Sequence, residues 1–374
     1  SIISIDNRQQ PFEYMKNTRM WFYNGIDLGS EAFTCWVYGK TKEGIITEFY
    51  RQMVRNYASW GLCLPAEIEC ESNLNASFKE TFLKEGNMFR YVRIEANNAR
   101  GKRIEQYYRP LRYKYEKKRE GWLARPFALD ESNQAGGEKK RLIPYEDIVA
   151  GCLNDIITWN NSEHSKIKGM SRWDVFLSMQ HPDLKPTNYH GILPHLGYKT
   201  ETAVHAGIIR FRRQEFLLGN DGYIAVGDKL INYMKQVEGK DVDIYWLDDV
   251  KGGILKAHIY HNNRFVCEAI PKPLYNRARI EQTPEDEVNR ELMSKYVATI
   301  EGFGRRQKTK LENITIIDNR PVTIGNSFFI PGVIVPLITD ANDDGAMVLP
   351  DVDNEQFALN IPETSFKRSF ADRF

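Results

Sequence analysis

What most constrains this chain is the order of apolar patterns in its first 120 residues. Residues 1–6 alternate Ile with small or polar residues, a strand that ends on the carboxylate of Asp6. Residues 19–26 (RMWFYNGI) read as a second strand and residues 32–38 (AFTCWVY) as a third, parted by the turn-like DLGSE. Three short strands in succession predict an antiparallel meander. Helical spacing then takes over across 45–57, through Ile46, Phe49, Tyr50, Met53 and Tyr57. Pro65 opens a short strand, AEIEC. Residues 75–85 predict a helix with Phe78, Phe82 and Leu83 on one face, 91–95 a strand, and 99–118 a long basic amphipathic helix with Pro110 as the place for a kink. Strands followed by alternating helix and strand predict an α/β fold, a mixed sheet with helices on its faces.

Residues 121–140 have loop character, and 144–159 and 174–180 predict further helices, the second followed by the linker HPDLKP. After about residue 200 the texture changes. HAGIIRFRRQEFLLG, DVDIYWLDD, GILKAHIY and RFVCEAIPK are short apolar runs between Gly, Asp and Asn turns, the pattern of a small β-barrel. Residues 283–300 predict a helix, with Thr283 as cap, Pro284 at the first position and Glu285 and Asp286 in the first turn. At 374 residues the chain suits several domains. The expected division is 1–185 for the α/β core, 200–275 for the barrel, and 283–374 for a helix and acidic tail.

The charge is unevenly spread. Residues 99–125 hold ten basic residues against Glu105, Glu116 and Glu120, whereas 321–366 hold no Lys or Arg and seven acidic residues. One region is built to meet an anion and the other is not. The five cysteines, 35, 63, 70, 152 and 267, form no CxxC pair and are odd in number, which argues against zinc and against a disulfide framework and for a reducing compartment. No stretch has the length of a membrane span, and the N-terminus does not read as a signal peptide. The expected location is cytoplasmic. The chain begins SIISID, without Met and already inside a strand pattern, and so reads as a piece of a longer protein.

Several acids fall where a site would need them. Asp6 ends the first strand. Glu69 and Glu71, two apart on the fourth, share a face, and Glu105 opens the basic helix. Converging carboxylates supply the hard oxygen ligands that Mg²⁺ requires. With 50 acidic residues in the chain, the alternative is that Asp6 caps a turn and the glutamates are solvated; spacing leaves both readings open.

Residues 1 to about 165 resemble the ribonuclease H-like core of retroviral-type integrases and DDE transposases. The motifs are Asp6 in IISIDNR; Gly25-Ile26-Asp27-Leu28-Gly29-Ser30 before an apolar strand with Trp36; the turn WGLCLP before the fourth strand; Asn98-Ala99-Arg100-Gly101-Lys102-Arg103-Ile104-Glu105; and Trp159-Asn160-Asn161-Ser162-Glu163-His164. The following segment resembles the small barrel of phage Mu-like transposases. The resemblance implies that Asp6, Glu71 and Glu105 are catalytic and hold two Mg²⁺ ions, with Mn²⁺ as a substitute. It implies 3′-end cleavage of transposon DNA followed by strand transfer into target DNA. In one respect the chain departs from the pattern: the second acid is usually Asp, followed by Asn-Gly or Ser-Gly, whereas here the position is Glu71, before Ser72-Asn73. Three outcomes stay open, namely an active Asp-Glu-Glu variant, a site that uses Glu69, or a decayed site.

Beside that site, Lys102, Arg103, Arg109 and Arg112 read as contacts to DNA phosphates, against a solvated helix face. Asp27 and His164 read as structural, Tyr107, Tyr108, Tyr113 and Tyr115 as packing, and Arg210, Arg212 and Arg213 as DNA-lining or merely surface residues. The expected partners are DNA ends and target, further copies of the chain on paired ends, and by analogy an ATPase target-selector at the C-terminal segment. The competing expectations are a DNA-binding assembly protein with a decayed site, and a ribonuclease H-type nuclease without joining activity.

Overall fold

The molecule is built on two sheets, seen in a computed structural model that describes residues 1–71, 75–95, 103–124, 141–276 and 278–312. The first sheet comprises β1 (Ile2–Gln9), β2 (Trp21–Asp27), β3 (Ala32–Gly39), β4 (Glu67–Glu71) and β5 (Tyr91–Glu95), in the order β3-β2-β1-β4-β5. The first three form the expected antiparallel meander, while β4 joins β1 and β5 joins β4 in parallel. The sheet is therefore mixed, as the strand order predicts.

Alternation along β1 separates two chemistries. Ile3 and Ile5 face a core with Phe49, Tyr50 and Met53 of α1 (Ile46–Ser59). The approach is close: a Cβ at Gly25 on β2 would stand 2.9 Å from Ile3 and 3.0 Å from Phe49. Ser4, Asp6 and Arg8 face the other way. That opposite face is covered by α2 (Ile104–Pro110) and α3 (Tyr145–Asn161), through Ile26, Phe33, Ile104, Leu111, Ile156 and Trp159.

The second sheet closes on itself. After α4 (Arg172–Ser178) and α5 (Tyr189–Leu196) come β6 (Tyr198–His205), β7 (Ile208–Phe211), β8 (Gln214–Asn220), β9 (Tyr223–Ile224), α6 (Gly227–Val237), β10 (Asp241–Asp248), β11 (Ile254–His261) and β12 (Arg264–Pro271). The order β12-β11-β10-β6-β7-β8, with β12 paired back to β8, makes a closed six-stranded antiparallel barrel, and β9 is added beside β8. Closure leaves the barrel strands without an open edge. The last helix, α7 (Pro284–Glu312), buries Met293, Tyr296, Ile300 and Phe303 in the barrel's core. Tyr296 secures it, accepting from Leu218 N at 3.0 Å and donating to Gly207 O at 2.6 Å. Residues Ser1–Ile314 form one compact unit, so this helix belongs with the barrel; the acidic tail lies outside the described residues.

Four local expectations change. Asp6 does not end its strand, because β1 continues to Gln9. Residues 75–85 do not form the expected helix: past Asn75 there is a single 3-10 turn, Ala76–Phe78. The basic helix is not uniform: α2 stops at Pro110, Leu111–Tyr115 is a π-helical stretch and Glu116–Lys118 a 3-10 turn. Pro110 has no N–H for an α-helical bond, and the wider turn follows it directly. Helices α5 and α6 were not expected; α5 packs Ile192, Leu193 and Leu196 into the first core, together with Leu247 of the barrel. Among the described residues, no helix is long and apolar enough to cross a membrane.

Candidate active site

The first two candidate acids lie on neighbouring parallel strands. In the parallel pair β1–β4, Ile2 faces Glu67, Ile3 faces Ile68 and Ser4 faces Glu69. Continued past that last pair by two residues, the same offset would bring Asp6 level with Glu71. Both carboxylates act on a shared neighbour. Tyr23 lies on β2, its hydroxyl is pushed well above the usual tyrosine range by burial, and the negative charges of Asp6 and Glu71 add to that shift. Asp6 is nearly enclosed, 6% exposed, and Glu71 half-buried.

The segment after Glu71 is anchored by Asn75, which is fully buried. Its side chain donates to Glu71 O at 2.8 Å and to Tyr23 Oη at 3.1 Å, and accepts from Tyr50 Oη at 2.6 Å.

Glu105 stands in the first turn of α2 and is exposed. Two tertiary bonds fix the turn that carries it. Ile104 N donates to Ser4 Oγ at 3.3 Å, and Tyr108 Oη donates to the backbone carbonyl of Asp6 at 3.0 Å. Glu105 lies between those attachment points, three residues before Tyr108 and so on an adjoining part of the helix surface. The third acid is thereby tied to the β1 segment that bears the first.

Glu69 has a different task. Its Oε1 accepts from Ser4 Oγ at 2.8 Å and from Arg103 N at 2.9 Å, and its Oε2 accepts from Arg103 Nε at 3.2 Å and Nη2 at 3.1 Å. No local side chain caps α2. Glu69 and Ser4, reaching across from the sheet, satisfy amide donors that a helix start leaves open, and a carboxylate there also suits the helix dipole. With four donors on two oxygens, Glu69 is committed to holding the helix.

The basic residues separate in the same way. Arg103 is half-exposed, with its guanidinium on Glu69. Arg112 donates to Leu123 O at 3.3 Å, tying its helix to the next segment. Arg109 is exposed. Lys102 lies outside the described residues. Tyr107, Tyr108 and Tyr115 pack around Trp159 and its neighbours, as expected of packing residues.

The Trp-Asn…His element clasps the β2–β3 turn. Trp159 Nε1 donates to Glu31 O at 2.8 Å, and the Asn160 amide pairs with both Phe33 N and Phe33 O, at 2.9 and 2.8 Å. His164 is buried; its Nδ1 accepts from Lys166 N and Ile167 N, which leaves Nε2 as the protonated nitrogen, donating to Gly29 O at 3.2 Å. Asp27 accepts from Ser30 N and Ser30 Oγ, both at 2.8 Å, the turn role expected of it.

Carboxylates are the right donors for a hard cation, and here two stand on the sheet and one on α2. Their side chains are not gathered on one point: among the described residues, no group of three or more His, Cys, Asp or Glu is arranged to hold a metal ion. Sequence reasoning missed Ser4 and Tyr108 as supports of the site. The signal was present, since Ser4 alternates onto the face of Asp6 and Tyr108 follows Glu105 by one helical step. Neither a protein-family model nor a curated protein matches the chain.

Proposed function

We propose that this chain is the catalytic part of a DNA transposase, with a ribonuclease H-like core and a barrel akin to that of phage Mu-like transposases. The observation that carries the reading is that Asp6 and Glu71 lie on paired neighbouring strands, β1 and β4, with the helix start that bears Glu105 bonded to β1. The sheet order β3-β2-β1-β4-β5 with a closed barrel after it supports the same class.

In this reading Asp6, Glu71 and Glu105 would hold the metal. Two Mg²⁺ or Mn²⁺ ions held there would supply activation of the attacking oxygen and stabilisation of the leaving one. The chain's own residues position. Ser4, Glu69 and Tyr108 set the helix against the sheet, so that a phosphodiester meets carboxylates fixed on rigid elements rather than on loops. Arg109, exposed one turn after Glu105, meets DNA phosphate. The reaction is 3′-end cleavage followed by attack of that 3′-OH on target DNA, on ends paired by several copies of the chain. An ATPase target-selector is the partner assigned to the C-terminal segment, and the cytoplasmic nucleoid is the place of action.

A DNA-binding assembly protein with a decayed site is the second reading, favoured by Glu in place of Asp at position 71. The test is strand transfer from a pre-cut end with Mg²⁺ or Mn²⁺. Joined product that is lost in Asp6→Asn and Glu105→Gln, with DNA binding intact, supports the proposal. Binding without product under either metal gives the second reading, and product that is hydrolytic only gives a nuclease without joining activity.

A further inference from the structure

Four two-residue turns close hairpins of the barrel sheet, and each holds both central residues in the left-handed region. They are Ala206-Gly207 (φ 53° and 66°), Arg212-Arg213 (48° and 61°), Asp221-Gly222 (53° and 81°) and Asn262-Asn263 (51° and 60°). Such turns favour Gly, Asn and Asp, because a longer side chain gains nothing there and its Cβ crowds the backbone. Three of the four turns contain at least one of these residues. The turn between β7 and β8 contains none and places two arginines there instead.

We propose that Arg212 and Arg213 form a contact surface for the phosphate backbone of nucleic acid. The identity of the anion rests on the function proposed above; the cationic surface itself does not involve the acidic site.

The surrounding charges single this turn out. Arg210 and Lys272 share Glu215, at 2.5 and 2.8 Å, and Lys199 lies between Asp243 and Glu201, at 3.0 and 3.2 Å. Arg212 and Arg213 are exposed, and neither pairs with a carboxylate among the described residues. Arg212 is also held in place. Its guanidinium lies 4.7 Å over the ring of Trp246, which donates from Nε1 to Thr200 Oγ1 at 2.9 Å and leans on Tyr198 at 5.0 Å. Arg51 of α1 lies over Tyr198 in turn, 4.2 Å from its ring centre. A guanidinium held by its face keeps its in-plane N–H groups for an oxyanion, the geometry that binds phosphate in bidentate fashion. Arg213 sets a second cation next to it, and adjacent cations suit a polymer of repeated phosphates.

The test uses the full chain, a duplex of about 30 base pairs and chelator in place of metal, with affinity followed by anisotropy between about 50 and 200 mM salt. Arg212→Asn with Arg213→Gly installs the residues this turn favours, so the variant folds with an unchanged or higher melting temperature. Its plot of log affinity against log salt is expected to be shallower by about 0.9 per lost contact, with binding weaker by roughly tenfold or more at 100 mM salt. Arg213→Asn alone removes about half of the slope change, and Arg213→Glu weakens binding further than Arg213→Asn. An unchanged slope in the double variant overturns the proposal. So does a wild-type chain that fails to bind duplex, or one whose turn variants lose an acidic peptide instead. Because no metal is present, failure of strand transfer in the Asp6 assay is scored separately and leaves this result standing.

Discussion

Ser4 and Glu69 stand opposite one another in parallel register, and the Ser4 hydroxyl donates to Glu69 Oε1 at 2.8 Å. The same oxygen receives Arg103 N, so one sheet-borne carboxylate closes the start of the helix that carries Glu105. Replacing Glu69 with Leu leaves the Arg103 amide without its acceptor and is expected to cost about 1–3 kcal/mol. Hydrogen exchange reads this directly: the Arg103 and Ile104 amides, protected in the wild type, exchange faster in Glu69→Leu. In strand transfer the same variant lowers kcat and leaves DNA affinity near wild type, because the helix start moves while the exposed basic face remains. Unchanged amide protection would show that the helix is held by packing alone.

A second pair fixes the far end of the same helical stretch. Arg8 on β1 meets Glu116 through two parallel bonds, one of them Nη1 to Oε1 at 2.7 Å, and both groups are buried. The guanidinium also lies 5.2 Å over Tyr108. Arg8→Ala strands a buried carboxylate and is expected to lower stability by about 3–5 kcal/mol, whereas Arg8→Met with Glu116→Leu should come close to wild type. Denaturant midpoints of the three proteins check the order. Equal losses in the single and double variants would mean that packing volume, not the orphaned charge, sets the cost.

The meander and the barrel were legible because their signals are local. Alternation in IISID and the punctuation of Asn262-Asn263 or Asp221-Gly222 lie within a few residues of the elements they mark. The α2 cap was not legible, because its donor and acceptors lie far apart in sequence: Glu69 precedes Arg103 by 34 residues and Ser4 precedes Ile104 by 100. The π-helical stretch was half visible. Pro110 announced an interruption, but the partner that the altered register serves, Arg8, lies 108 residues before Glu116. The carboxylate face was readable as Ser4-x-Asp6 and Glu69-x-Glu71, and it took the long-range bonds of Glu69 to Ser4 and Arg103 to set it apart as an anchor from the candidate ligand Glu71.

Glu71 is the position at which that separation can be tested. Glu71→Gln keeps the size and removes the charge, and is expected to abolish joining, whereas Glu71→Asp restores the usual residue of the resembled family and keeps at least part of the activity. The measurement is single-turnover strand transfer in Mg²⁺ and Mn²⁺. Glu71→Gln with full activity would remove Glu71 from the site. A wild type that is inactive while Glu71→Asp joins DNA would mark the natural chain as decayed at this residue.

The barrel carries its own acid sensitivity. His258 on β11 is buried, faces Tyr245 and Glu268 across the neighbouring strands, and lies beside His190 of α5, with ring centres 6.2 Å apart, and Phe265 at 5.1 Å. Burial, and after it the positive charges of Lys256 and His190, push its pKa down to about 4. Lys256 itself is paired with Glu268 at 2.5 Å, so that carboxylate offers His258 little relief. On acidification the unfolded chain takes up this proton first, near pH 6.5. The His258 contribution to stability is therefore fully present above pH 6.5 and is lost as the pH falls through the window down to about 4. Asp155 works in the opposite sense, since burial raises its carboxyl to about 6 despite Arg119 beside it, and the fold regains stability as that group protonates. The two must be separated by mutation. His258→Phe is expected to lose less melting temperature than the wild type between pH 7.5 and pH 5, by an amount corresponding to roughly 1–2 kcal/mol. Parallel melting curves for the two proteins across that range would show that His258 takes up its proton in the folded barrel without cost.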